Sequence, residues 1–161
     1  MLIKVIFLDI DGVLNGDDGP PLFSEGWPLS HLETHLIEKI NQIVEALDQI
    51  SEIKTKIVIS SSWRVRFSLE EITEMLKTKG LRVEIIDATP RIFPRRMSEY
   101  IQRGQEIKSW LQNVKEYQID KFIILDDESD MMELRKFLIK TNYKTGITDA
   151  DVNKAINMLK D

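Results

Sequence analysis

Four short runs dense in apolar and β-branched residues recur along the chain, at positions 4–8, 56–60, 82–86 and 121–125, and each has the length of a strand. A fifth, weaker run covers 137–141. Apolar residues fall on both alternating positions of these runs, which predicts strands covered on both faces, as in a parallel sheet flanked by helices. Helical patterns lie between them. Ser30 with Glu33 reads as a capping box before Leu32, Leu36, Ile40, Ile43 and Leu47 at helical spacing, and Ser68 with Glu71 repeats the device with Gly80 as the stop. A third helix is predicted from about Glu99 through Ile107, Trp110 and Leu111, and a last one from about Ala150 to Leu159 after Thr148 or Asp149.

Strand and helix alternate throughout, so the pattern predicts right-handed βαβ units in a doubly wound, Rossmann-like α/β fold: five parallel strands, helices on both faces. With 161 residues and no repeat, low-complexity tract or linker, the chain reads as one domain over 1–161. A ligand site in such a sheet lies at the carboxyl ends of the strands. The residues that follow each strand are therefore the ones to read for chemistry. Residues 15–28, rich in Gly and Pro, directly follow the first strand and read as a flap over that site.

Composition narrows the function classes. A formal charge of −5 argues against general affinity for nucleic acid or anionic membrane, although a local basic patch is compatible with it. The absence of cysteine excludes disulfides, thiolate metal sites and a cysteine nucleophile, and fits a reducing compartment, with the cytoplasm as the default expectation. The N-terminal apolar run is interrupted by two aspartates and reads as a strand, and no apolar stretch approaches the roughly 20 residues that span a bilayer. No membrane and no obligate protein partner is expected.

The strand ends carry Asp9 and Asp11 after the first, Ser60 to Ser62 after the second, and Asp126, Asp127 and Asp130 after the fourth. Carboxylates sharing a site raise one another's pKa, and a bound cation is the simple way to keep them ionised. Oxygen ligands without His or Cys indicate Mg²⁺ rather than zinc. Magnesium takes one or two carboxylates plus a substrate phosphate, which leaves others free to act as nucleophile and as proton carrier.

At this point the residues resemble a known family. FLDIDGVLN is similar to the first motif of the haloacid dehalogenase (HAD) superfamily, IVIS to its second and IILDDESD to its fourth, in order and over the whole chain. The resemblance implies a phosphohydrolase in which Asp9 is the nucleophile and Asp11 the general acid/base, which also offers Mg²⁺ its backbone carbonyl. It implies that Ser60, with Ser61 as its alternative, donates to the phosphoryl group. Asp127 would ligate the metal, with Asp126 and Asp130 in support. The family's basic third-motif residue falls in YIQRGQEIKSWL, where Arg103 is the first choice and Lys108 the second. Neither gap between motifs has room for a large cap domain, so the chain resembles a capless member, whose open site suits large substrates such as nucleic-acid ends or proteins. SSSWR, RGQEIKSWL, LDDESDM and TGITDADVNKAINML resemble segments of small domains linked to RNA repair.

Competing readings are weaker. Asp-Gly is ordinary turn chemistry, and DIDG could open a calcium loop, but Val13 and Leu14 stand where such a loop needs a polar ligand and glycine. His31 and His35 have the spacing of a zinc pair without a third ligand. Trp63 reads as core or loop anchor, and Arg64 as either surface or substrate contact. Positions 90–103 hold Arg91, Arg95, Arg96 and Arg103 against one acid, Glu99, a basic segment on an acidic chain that could dock phosphates. The substrate class expected is a phosphorylated small molecule or nucleic-acid end, with a non-catalytic phosphate-binding domain on the same scaffold as the alternative of another class.

Overall fold

The computed structural model describes residues 1–160. Five strands form one all-parallel sheet in the order β3-β2-β1-β4-β5: β1 (Leu2–Leu8), β2 (Thr55–Ile59), β3 (Ile85–Ala88), β4 (Gln118–Asp126) and β5 (Leu138–Lys140). The chain is a doubly wound α/β domain. β1 lies at the centre, and all but its first residue is buried. That burial on both sides is why its sequence shows no in-out alternation.

The two faces are covered unequally. α1 (Thr34–Asp48), α2 (Leu69–Thr78) and α4 (Asp149–Leu159) pack on one, against Ile6, Leu8, Ile57, Ile59, Ile123 and Leu125. α3 (Arg103–Asn113) covers the other with Ile107 and Trp110 against Val5, Phe7, Val58 and Ile124; the Trp110 ring meets Phe7 edge-on at 5.4 Å. The described residues contain no second sheet and no inserted cap, and none of their helices is long and apolar enough to cross a membrane.

Several local expectations are revised. The Ser30–Glu33 capping box is not made: 29–31 form a short 3₁₀ turn, Ser30 pairs with the Ser24 hydroxyl, and α1 begins at Thr34. Glu33 is drawn away because its carboxylate accepts from the Gly16 N–H at 3.1 Å, a tertiary contact that outcompetes the local cap. Ser68 with Glu71, and Thr148 with Asp151, do form reciprocal capping boxes. The third strand falls at Ile85–Ala88, later than 82–86, because Arg82 is held back on α1: its guanidinium bonds both Glu38 oxygens at 3.0 Å and its N–H reaches Asn41 Oδ1 at 2.9 Å. α3 starts at Arg103 rather than near Glu99, with Gln105 accepting from the Gln102 N–H at 2.8 Å.

Candidate active site

Strand register builds the site. Leu8 stands beside Ile59 on one side and Leu125 on the other, and the ladder continues with Ser60 N–H donating to Leu8 and Asp9 N–H to Leu125. Phe7, Val58 and Ile124 face α3, so the pleat turns the residues two positions on, Asp9, Ser60 and Asp126, toward that face at the carboxyl edge. Carboxylate oxygens of Asp9, Asp126 and Asp127 come within 4.8 Å of one another. Both Asp9 and Asp126 are buried.

Arg103, the first residue of α3, reaches into this cluster. Its guanidinium lies 3.6 Å from Asp9 and 3.9 Å from Asp126 and donates to the Ser60 carbonyl. The approach depends on Gly104: a Cβ there would lie 2.4 Å from the Met131 carbonyl oxygen, so only glycine lets the first turn of α3 lie against the loop after β4. Asp130 secures that contact, accepting from the Arg103 N–H at 2.9 Å and from the Tyr100 hydroxyl at 2.8 Å, a carboxylate at a helix N-terminus. Asp130 is thus committed to α3 and lies outside the three-carboxylate group. Lys108 is also elsewhere, exposed and paired with Glu133 at 2.5 Å.

The two serines differ. Ser61 hydrogen-bonds Asp9 and accepts from the Trp63 N–H at 3.2 Å, whereas the buried Ser60 hydroxyl has no hydrogen-bond partner. Asp126 Oδ2 is likewise buried without one. Orphaned polar atoms of this kind are rare and point to a missing partner.

Asp11 projects on the other side, half exposed, into a cleft of about 530 Å³ lined also by Asn15, Gly16, His31, Asp127 and Tyr143. Asn15, buried, clamps the turn: it accepts from the Gly12 N–H at 2.9 Å and donates to Asp11 at 3.0 Å. His31 Nε2 stands 3.9 Å from the same carboxylate, and its other ring nitrogen meets the Pro20 carbonyl at 3.0 Å. Gly12 has φ 79°, and a Cβ on it would sit 2.4 Å from Asp127 Cγ, so the DxDG turn and the fourth-motif carboxylate pack directly together. Thr141, just past β5, donates to the Gly12 carbonyl at 2.6 Å. Asn15 and Thr141 were not singled out from the sequence, and His31 was read only as half of a zinc pair that lacked a third ligand. Asn15 left a trace there as the polar residue closing FLDIDGVLN.

Electrostatically the metal-free cluster is frustrated. Burial pushes the Asp9 carboxyl up to about 6, although Arg103 opposes the shift. Burial, reinforced by the Asp9 charge, pushes Asp126 up to about 9. Burial also works against the Arg103 charge, but Asp9 and Asp126 outweigh it and raise its pKa. An acidic set this congested calls for positive charge beyond one guanidinium, and an all-oxygen donor set suits a hard divalent cation.

The family described as the HAD domain in Swiss Army Knife RNA repair proteins matches residues 5–152. The chain belongs to this family. No curated protein matches it. Its structure is similar to the HAD domain of effector protein Lem4 from Legionella pneumophila, with a TM-score of 0.54 at 15% identity, covering 97% of this chain and 93% of that one. At that identity the likeness is one of fold. Membership gives this HAD domain a scaffold of general phosphohydrolase type.

In the HAD domain a buried ion pair ties the second-motif turn to α3. Arg64 bonds Glu106 of α3, each side chain about 10% exposed (11% and 10%), and Glu106 also accepts from the Ile92 N–H at 3.2 Å. Arg64 thus serves as a bolt between the second-motif turn and α3. Arg64→Ala strands a buried carboxylate and should cost about 3–5 kcal/mol in a chemical-denaturation experiment. A loss under 1 kcal/mol would contradict the bolt.

Proposed function

We propose that the chain is a Mg²⁺-dependent phosphomonoester hydrolase working through an aspartyl-phosphate on Asp9. The observation that carries the reading is the convergence of Asp9, Asp126 and Asp127 within 4.8 Å, with the Arg103 guanidinium 3.6 Å from Asp9. The donor set fits Mg²⁺: three carboxylates, one with an unpartnered buried oxygen, would hold the ion, together with the Asp11 carbonyl that the family resemblance assigns to it. When bound, Mg²⁺ neutralises the carboxylates and polarises a phosphoryl oxygen.

In this reading an Asp9 oxygen attacks phosphorus and the bond to the leaving oxygen breaks. Asp11, at the cleft and oriented by Asn15, gives that oxygen its proton, then takes one from the water that cleaves the phosphoryl-aspartate. Arg103 and the free Ser60 hydroxyl hold the phosphoryl oxygens as charge builds on them. Asp130 positions Arg103 by capping α3. The experiment is phosphate release from an aryl phosphate. Turnover should vanish in EDTA and return with Mg²⁺; turnover unaffected by EDTA, or none with any phosphomonoester, contradicts the reading.

A narrower reading, that the substrate is a polynucleotide end, is favoured by the family's description as RNA repair proteins and by Arg91, Arg95 and Arg96, all exposed on the loop after β3 at the same edge of the sheet. Such a substrate should lose affinity steeply as salt rises, and less steeply once Arg95 and Arg96 are replaced by Gln.

The carboxylate pKa shifts give a stability prediction for the metal-free chain. Both folded-state values lie above the unfolded ones. The contribution of these groups to stability is therefore fully present below about pH 4, is lost for Asp9 as pH rises through about 6, and is lost for Asp126 as it rises through about 9. Mg²⁺ should accordingly raise Tm more at pH 8 than at pH 5 in melts against EDTA. Equal shifts at the two pH values would contradict the shared-ion site.

A further inference from the structure

The rim of the site away from α3 is built of aromatic rings. Trp63 is buried, and Phe67 packs on it at 5.6 Å; Trp27, from the segment after β1, meets them at 6.3 and 5.8 Å. The two contacts of Trp27 explain how that segment is fastened down. They do not explain Phe23. Its ring sits 4.9 Å from Trp27, yet it is 62% exposed and its backbone is left-handed, φ 59°. A bulky side chain rarely adopts that conformation, and here it gains little burial in return.

Arg66 completes the arrangement, its guanidinium carbon 5.8 Å from the Phe23 and the Trp27 ring centroids alike. Together with Ser62 and Asp11 these residues line a slot of about 190 Å³, and Asp11 also lines the main cleft, so the slot opens beside the carboxylate that carries the proton in the mechanism above. The Trp27 indole N–H is buried there with no partner. Exposed rings with a guanidinium over them make a platform for another flat π system, and a nucleobase offers such a face whatever its identity.

We infer that this slot seats the nucleobase of the nucleotide bearing the scissile phosphate, stacked on Phe23 and Trp27 with Arg66 at its edge. The inference rests on the phosphomonoesterase reading and names the substrate class for it. A base is favoured over the ring of a phosphotyrosine because Arg91, Arg95 and Arg96 offer docking for further phosphates, which a polynucleotide supplies and a peptide does not.

The test uses the full chain with Mg²⁺ and compares kcat/KM for adenosine 3′- and 5′-monophosphate, ribose 5-phosphate and a phosphotyrosyl peptide. The better nucleotide should exceed the base-free sugar phosphate by about tenfold or more, chiefly through KM. Phe23→Ala should collapse that ratio toward one, and Phe23→Tyr should keep it. Equal efficiency with and without the base, a ratio untouched by Phe23→Ala, or a peptide that outperforms both nucleotides with the same Phe23 dependence overturns the proposal. Binding is read separately as quenching of tryptophan fluorescence in Asp9→Asn protein. Quenching by the nucleotide but not by ribose 5-phosphate, lost in Phe23→Ala, supports the slot even if no phosphate ester is hydrolysed, which would be a failure of the phosphatase reading alone. Identical responses to both ligands overturn it.

Discussion

Asp9→Asn is expected to lower Mg²⁺-dependent phosphate release by on the order of a thousandfold or more while making the metal-free chain more stable. The loss follows from the nucleophile: an amide oxygen does not form the acyl phosphate. The gain follows from the same geometry. Asp9 is buried beside Arg103, Asp126 and Asp127, and burial, only partly offset by Arg103, pushes its carboxyl up to about 6. Asparagine keeps the Oδ1 acceptor that holds the Ile10 N–H at 2.8 Å and sheds the charge. At pH 7.5 this should be worth roughly 1–3 kcal/mol, a rise of several degrees in Tm. Kinetics and thermal melts on one preparation check both halves. Activity and Tm falling together would mean that the substitution acts through unfolding instead.

Arg103→Ala should reduce kcat/KM by about 10²–10³-fold, whereas Lys108→Ala should leave it within about twofold. The sequence offered both cations on one helical stretch. The structure separates them: Arg103 lies within 4 Å of Asp9 and Asp126 (3.6 and 3.9 Å), while Lys108 points to Glu133 on an exposed surface. Arg103→Lys should recover little, because Nη1 alone meets the two carboxylates and the Ser60 carbonyl, which leaves the rest of the guanidinium for the phosphate, and an ammonium has no second nitrogen to offer. Steady-state kinetics of the three variants decide the point. A large loss in Lys108→Ala beside a mild one in Arg103→Ala would reverse the assignment.

The fold was legible because the sheet is buried on both faces: strands such as 121–125 had no reason to alternate, and the carboxyl-edge rule then picked out Asp9, Asp11, Ser60 and the DDESD segment. The third strand was misplaced because Leu81 and Val83, apolar and buried, are core residues of a loop, while Arg82 between them is tied to Glu38. Glu33 looked like the end of a capping box until a backbone N–H from 17 residues earlier claimed it. Within DDESD, spacing could not separate ligand from scaffold. In three dimensions Asp126 and Asp127 stand beside Asp9, and Asp130 caps α3. Asn15 was missed, and His31 was read only as half of a zinc pair, for a similar reason: their contacts with Asp11 depend on how the segment after β1 folds back, which no local period records.

Asp9 should become phosphorylated during turnover. The aryloxide of an activated aryl phosphate leaves without needing a proton, so in Asp11→Asn the first step should still proceed while breakdown of the phosphoryl-aspartate, which needs a base, stalls. Mixing that variant with Mg²⁺ and excess aryl phosphate, quenching in acid and mapping the peptides by mass spectrometry tests this directly. One phosphoryl group is expected on the peptide that contains Asp9, absent when Asp9 is also replaced by Asn. Phosphate released with no labelled peptide at any time, or a label on another residue, would contradict it.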